Sequence, residues 1–366
     1  MTGPLRVVIA GGGTGGHLYP GIAVARELIA RMPGTTVTFA GTARGIESRV
    51  VPREGFELDT IRSGGLKGKS MTDRARGAAL IPLGLLDAWG ILTRRSPDVV
   101  IGVGGYSSGP VVLAASMRGI PTMLLEQNAV PGLTNRLLAR VVRAAAVTYE
   151  PTRAYFGAKA FVSGNPVRAE FTAPMQVGQG TGRDDRLHLL VFGGSQGAHA
   201  INEAMASAAP LLRSAGLAIR VVHQTGERDL EMVQRAYREA GIEADVEPFI
   251  YDMGRQLADA DLVICRAGAT TLAELTSAGK AAVLIPLPTA TDDHQRKNAE
   301  ALAAAGAAEV VLQAEATGSL LAQRIQALAG DGDRRARMSA AARTLARPDA
   351  ARVIVDRVMA LAGRAA

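Results

Sequence analysis

Val7-Val8-Ile9-Ala10-Gly11-Gly12-Gly13-Thr14-Gly15-Gly16-His17, near the start, and Leu189-Leu190-Val191-Phe192-Gly193-Gly194-Ser195-Gln196-Gly197-Ala198, past the middle, decide how this chain folds. In each, a short apolar run meets a glycine loop, and the first leads into a helical pattern from Gly21 to Ala30. A strand that feeds a helix through glycines makes a tight turn whose backbone N–H groups and helix N-terminus can face a phosphate. Gly11, Gly13 and Gly16 satisfy G-x-G-x-x-G, but a dinucleotide reader also needs an acid where the second strand ends, and that strand ends Phe39-Ala40-Gly41-Thr42. The nicotinamide reading loses its weight there. Either loop alone could be plain strand-to-helix packing. Two loops at matching positions suggest two diphosphate-bearing ligands meeting across a cleft, because open α/β sheets bind ligands beyond the carboxyl ends of their strands.

Outward from these loops, apolar runs alternate with helical patterns: Leu5 to Ala10, Thr36 to Ala40, Val99 to Val103, Thr122 to Leu125 and Ala145 to Thr148. The pattern restarts with Leu187 to Phe192, Ala218 to His223, Asp245 to Phe249, Asp261 to Cys265 and Ala282 to Pro286. Continuous apolar strands between helices indicate parallel sheets covered on both faces. The fold class is therefore α/β, with two doubly wound Rossmann-like domains, and 366 residues suit two such cores. The expected division is a first domain over 1–165, a linker region over 166–186, a second domain over 187–340 and a terminal helix over 341–366. Hydrophobic residues at 48% and aromatics at 4% agree with α/β layers.

The single cysteine, Cys265, excludes a disulfide framework and points to a reducing compartment. The chain reaches its first strand too soon for a signal peptide. Its longest apolar stretch, Ala78 to Leu92, is broken by Pro82 and Asp87 and falls short of the roughly 18 residues of a spanning helix. A net charge of +7 favours an anionic partner: nucleic acid, phospholipid or a diphosphate substrate. With seven Phe, six Tyr and one Trp and no basic-aromatic module, nucleic acid is not expected as a partner.

A third glycine-bearing stretch, Arg266-Ala267-Gly268-Ala269-Thr270-Thr271-Leu272-Ala273-Glu274, follows the strand ending at Cys265. A carboxylate at Glu274 could accept both ribose hydroxyls of a nucleotide, or merely favour the helix N-terminus. Asp259-Ala260-Asp261 looks like an acidic metal pair but precedes a strand, away from the ligand edge. His188, His199, His223 and His294 show no metal-ligand spacing, and no metal site is expected.

Taken together, Thr14 to Gly21, Gly104-Gly105-Tyr106 with Gly109-Pro110, Glu126-Gln127-Asn128, Gly164-Asn165-Pro166-Val167-Arg168, Gly193 to Gly197 and Arg266 to Glu274 resemble the MurG family. These are the undecaprenyl-diphospho-muramoylpentapeptide β-N-acetylglucosaminyltransferases, and the motifs stand in the family's order over residues 7 to about 305. The resemblance implies a GT-B glycosyltransferase whose two domains face each other across a cleft. Its first half would meet lipid I, its second would hold UDP-GlcNAc, and its terminal helix would return to the first domain. By matching motif it implies Thr14, Gly15, Gly16 and Asn128 on the sugar and acceptor side, with Arg168 and Ser195 on the donor. Ile250 would offer backbone hydrogen bonds to uracil. Ala269, Thr270, Thr271, Leu272, Ala273 and Glu274 would hold diphosphate and ribose, and Gln295 would touch the sugar.

Inverting transfer needs a base for the acceptor hydroxyl and neutralisation of the departing diphosphate. His17, at the start of the first helix, is the candidate base, since the helix dipole favours neutral imidazole there. The alternative is that it only binds an acceptor phosphate or a neighbouring loop. Glu126 is a weaker candidate that could equally brace its loop. No tightly bound cofactor is implied, and a divalent cation would at most assist. A UDP-GlcNAc 2-epimerase or another GT-B transferase is the nearest rival.

A lipid-linked acceptor brings the enzyme to the cytoplasmic face of the bacterial membrane as a peripheral protein, with other cell-wall synthesis proteins as further partners. Leu80, Ile81, Leu83, Leu85, Leu86, Trp89 and Leu92, bordered by Lys67, Lys69, Arg74, Arg76, Arg94 and Arg95, form the pattern of an interfacial segment for an anionic inner leaflet. Arg136, Arg140 and Arg143 extend that rim. An amphipathic core helix with a solvated basic border is the competing reading.

Overall fold

A computed structural model describes residues 4–64, 71–168, 171, 186–194 and 196–364, with the backbone alone for 71–79. The chain divides into two compact units: Met1–Arg168 with Arg347–Ala366, and Ala169–Ala346.

The first unit alternates strand and helix: β1 (Arg6–Gly11), α1 (Gly15–Arg31), β2 (Thr36–Gly41), α2 (Glu47–Arg53), β3 (Glu57–Thr60), α3 (Met71–Arg95), β4 (Val99–Gly104), α4 (Ser108–Met117), β5 (Thr122–Glu126), α5 (Leu133–Leu138), β6 (Ala144–Val147) and β7 (Ala160–Val162). Its seven strands are all parallel in the order β3-β2-β1-β4-β5-β6-β7, with Val7 beside Val37 on one side and Val99 on the other. Strand order reverses between β1 and β4, so the first glycine loop opens at the switch point. Side chains alternate through the sheet, which is why the apolar run of β1 feeds two cores. Val7 and Ile9 pack with Leu18, Ile22 and Leu28 of α1, while Val8 and Ala10 pack with Val111 and Val112 of α4 and Ile91 and Leu92 of α3.

The second unit repeats the plan: β8 (Leu187–Phe192), α6 (His199–Ser214), β9 (Ile219–Gln224), α7 (Leu230–Ala240), β10 (Glu243–Glu247), α8 (Met253–Asp259), β11 (Leu262–Cys265), α9 (Ala269–Ala278), β12 (Ala281–Leu284), α10 (His294–Ala304), β13 (Ala308–Val310), α11 (Gly318–Gly330) and α12 (Gly332–Leu345). Its six parallel strands run β10-β9-β8-β11-β12-β13, and the second glycine loop again opens at the reversal. Leu187, Leu189 and Val191 face α6, α7 and α11 through Ile201, Met205, Val233, Tyr237, Leu321 and Ile325.

The last helix, α13 (Ala350–Leu361), belongs to the first unit. Ile354, Val355, Val358 and Met359 are buried in the core that α1 covers, and Asp356 accepts a 2.5 Å bond from Arg31. Three strands escaped the apolar-run reading: β3, β7 and β13 are only three or four residues long. β10 begins two residues earlier than expected because it alternates, exposing Glu243, Asp245 and Glu247 and half-burying Ala244 and Val246.

Candidate functional site

In the first unit, the loop after β1 is held by a residue that the motif reading passed over. Glu47, the first residue of α2, is 1% exposed. Its Oε2 accepts from the Gly13 backbone N–H at 2.8 Å, and its Oε1 accepts from the Thr42 backbone N–H at 2.9 Å and hydroxyl at 2.8 Å. Gly12 lies at φ +149°, and a Cβ there would stand 2.5 Å from the Glu47 carboxyl carbon, so glycine is needed for both conformation and space. An acid shortly beyond the second strand was the available signal. It is turned inward onto the loop, where a dinucleotide reader would aim it at a ribose. With Gly13 N–H engaged by a carboxylate, an anion at this loop would be met by the N-terminus of α1 instead.

His17 is the third residue of that helix, half-buried, with Nδ1 3.1 Å from the Thr14 hydroxyl. A Cβ at Gly104 would come within 2.7 Å of the imidazole, so the end of β4 forms the surface on which the ring rests. If Nδ1–H donates to Thr14 Oγ1, the neutral ring has its lone pair on Nε2, the arrangement that a base at Nε2 requires. Glu126 ends β5 at 3% exposure. Its Oε1 accepts from Asn128 N at 3.0 Å and Asn128 Nδ2 at 3.2 Å, while Oε2 accepts from Gly132 N at 3.1 Å and Asn135 Nδ2 at 2.9 Å. Burial pushes its pKa up against the pull of those bonds. The guanidinium of Arg168 lies 5.3 Å from the Tyr19 ring centroid, a cation–π contact within the same unit.

In the second unit, the loops after β8, β9 and β10 lie side by side. Ser195 falls outside the described residues. Gln224, at the end of β9, donates from Nε2 to Gly194 O at 2.6 Å and accepts at Oε1 from Ile250 N at 3.0 Å. The backbone N–H of Ile250 is thus engaged within the protein, and its carbonyl oxygen is the backbone group through which it would meet a base. Beneath these loops runs a buried network. His223 pairs with the Tyr237 hydroxyl at 3.0 Å and with Asn202 Oδ1 at 3.1 Å, and Asn202 Nδ2 donates to Thr225 O and Asp229. Complete burial lowers the His223 pKa to about 3, leaving the ring neutral. At Asp229, burial opposes ionisation, but hydrogen bonds from Asn202 and His199 hold its pKa below the ordinary value.

Gly268 is the extended residue ahead of α9, so Ala269, Thr270 and Thr271 form that helix's first turn. Ala269, Leu272 and Glu274 are buried, and Thr270, Thr271 and Ala273 half-buried. Arg266 is turned into the unit, donating to Ile285 O, Pro286 O and Gln313 Oε1. Gln295 Oε1 accepts from Ala267 N at 3.2 Å and Leu287 N at 3.0 Å, so Nε2 is the end of its amide that would approach a sugar. Cys265 is fully buried, which drives its thiol pKa upward and keeps it unreactive. Among the described residues, no three His, Cys, Asp or Glu side chains gather as metal donors.

On α3, Ile81, Leu83, Leu86 and Trp89 are exposed, whereas Leu80 and Leu85 are half-buried. Leu92 is a correction to the expected interfacial set: it faces the core with Ala88 and Ile91, because a helix turns about 100° per residue and cannot show all seven apolar positions on one side. Sequence spacing also could not reveal that Met117 of α4 and Leu133 and Leu137 of α5 add exposed apolar surface on neighbouring helices. Arg118 stacks 5.2 Å over the Trp89 ring, and Arg136, Arg140 and Arg143 are exposed. Lys67 and Lys69, and the side chains of Arg74 and Arg76, lie outside the described residues. No described helix is long and apolar enough to cross a membrane.

Each unit is thus a doubly wound sheet with a glycine loop at its switch point. The model of the glycosyltransferase family 28 N-terminal domain matches residues 7–147, and that of the family 28 C-terminal domain matches residues 188–354. The molecule is a glycosyltransferase in class. A Pelobacter propionicus protein named UDP-N-acetylglucosamine--N-acetylmuramyl-(pentapeptide) pyrophosphoryl-undecaprenol N-acetylglucosamine transferase is 48% identical, covering 97% of this chain and 99% of its own. The crystal structure of Acinetobacter baumannii MurG superposes with a TM-score of 0.81 at 33% identity, over 98% of this chain and 100% of that one. The chain belongs to the MurG family. A UDP-N-acetylglucosamine 2-epimerase structure also superposes, with a TM-score of 0.69 at 16% identity over 99% and 97% of the two chains, a likeness of fold alone.

Proposed function

We propose that this chain transfers N-acetylglucosamine from UDP-GlcNAc to the muramoyl 4-hydroxyl of undecaprenyl-diphospho-MurNAc-pentapeptide, lipid I, forming lipid II for peptidoglycan synthesis with inversion at the sugar carbon. The observation that carries this reading is the 48% identity to a transferase of that name along 97% of the chain, both units included. In the reaction, the acceptor oxygen attacks the anomeric carbon as the bond to UDP breaks, and the hydroxyl proton passes to a base.

His17 is that base, acting at Nε2 while Nδ1–H donates to Thr14. Thr14, Gly15, Gly16 and Asn128 meet the acceptor, and Glu126 keeps Asn128 and its loop in shape. On the donor side, Ile250 reads uracil through its carbonyl oxygen. Ser195, Arg168 and the first turns of α9, Ala269 to Glu274, take up diphosphate and ribose, and Gln295 touches the sugar. The exposed apolar side chains of α3 to α5, with Arg136 and Arg140, rest on the anionic inner leaflet at the cytoplasmic face. Other cell-wall synthesis proteins would meet it there.

The deciding assay follows radiolabelled N-acetylglucosamine from the UDP donor to a short-chain lipid I analogue, with an analogue lacking the muramoyl sugar as control. Lipid product that depends on the whole acceptor supports the reading; UDP release or an epimer without lipid product sinks it. His17→Ala should lower kcat by about a hundredfold or more, and a loss under about tenfold removes His17 as the base.

A further inference from the structure

We infer that Gln224 is a positioning residue that ties recognition of the nucleotide base to the geometry of the diphosphate loop. The inference rests on the donor reading above. Gln224 is 2% exposed, and its carboxamide spans two neighbouring loops, Nε2 to Gly194 O at 2.6 Å and Oε1 to Ile250 N at 3.0 Å. Its orientation is settled by the partners, since a carbonyl can only accept and a backbone N–H can only donate.

The surroundings leave this side chain little room to shift. Thr225 N donates to Glu247 O at 3.0 Å and Gly226 N to Pro248 O at 3.1 Å, joining the backbone just after Gln224 to the chain just before Ile250. From below, Asn202 Nδ2 holds Thr225 O at 2.9 Å. Holding Ile250 N–H fixes the chain at the residue whose carbonyl would meet uracil, and holding Gly194 O fixes the loop after β8 at Gly194. One buried amide therefore sets both the segment that reads uracil and the loop that receives phosphate, so base binding and phosphate binding share one support.

The test is calorimetric binding of uridine, UMP and UDP to the full chain, with Gln224→Met and Gln224→Glu beside the wild type. Methionine keeps the length and removes both bonds. It should weaken UDP by about tenfold or more, and shrink the ratio between the uridine and UDP dissociation constants. Glutamate reproduces the amide's donor and acceptor only when protonated. In that variant, UDP affinity should be near wild type at acid pH and fall as the buried carboxyl ionises, a recovery that a merely structural role would not produce.

A Gln224→Met protein that binds UDP within about twofold of wild type, or loses uridine and UDP affinity by the same factor, overturns the inference. So does a Gln224→Glu variant whose affinity does not recover on acidification. A wild-type chain that binds neither UDP nor uridine is a different result, which sinks the donor reading and this inference with it.

Discussion

Glu47 and Gln224 are side chains whose work is done on backbone. Neither stands in a motif that announces it. An acid opening a helix reads as a partner for the dipole, and a glutamine ending a strand reads as nothing in particular; only the fold brings Gly13, Thr42, Gly194 and Ile250 to them. The glycines they serve were legible, because a glycine run after an apolar run has few other physical uses. His223 carries a further consequence at this scale. Folded, its ring stays neutral until about pH 3, whereas the unfolded chain takes up that proton below about 6.5. Between those values the unfolded state holds more protons, so stability is full above the window and falls as pH drops through it, by at most about 1.4 kcal/mol per pH unit. Replacing His223 with Gln should flatten that acid slope while lowering stability at neutral pH. Urea titrations from pH 7 to 4 would read both effects, and parallel slopes in the two proteins would contradict the assignment.

Among the elements, α3 divides most clearly between what its sequence announces and what packing decides. Its apolar richness and its Trp are visible in the chain, but a stretch apolar on most sides does not say which side is covered. Packing against α4 takes Ala88, Ile91 and Leu92 inward, and leaves Leu83, Leu86 and Trp89 exposed. Replacing Leu83 and Trp89 with Ser should therefore reduce sedimentation with anionic liposomes several-fold at little cost in stability, since neither side chain is in the core, and should spare UDP binding. Unchanged sedimentation would reduce the patch to ordinary surface. The short strands β3, β7 and β13 mark the opposite limit: three or four residues add hydrogen bonds to an existing sheet without needing an apolar run of their own.

At the scale of the whole molecule, two doubly wound halves were legible from repetition alone, because each half restarts with a strand, a glycine loop and a helix. The destination of the last helix was not legible from periodicity, which shows that α13 has an apolar face but not what that face meets. Removing residues 347–366 strips Ile354, Val355, Val358 and Met359 from the first unit's core. Each fully buried side chain of this kind contributes about 1.5–3 kcal/mol, and a domain is stable by only about 5–15. Calorimetry of the truncated chain should show the first unit's transition lost or moved far down, while the second unit still melts cooperatively and binds UDP. A truncated chain with both transitions intact would show that α13 is dispensable. The same connectivity bears on birth at the ribosome. The amino-terminal half emerges first with one side of its core uncovered, and it stays so until α13 has followed the whole second unit out. The part of the protein begun first is the last to be finished.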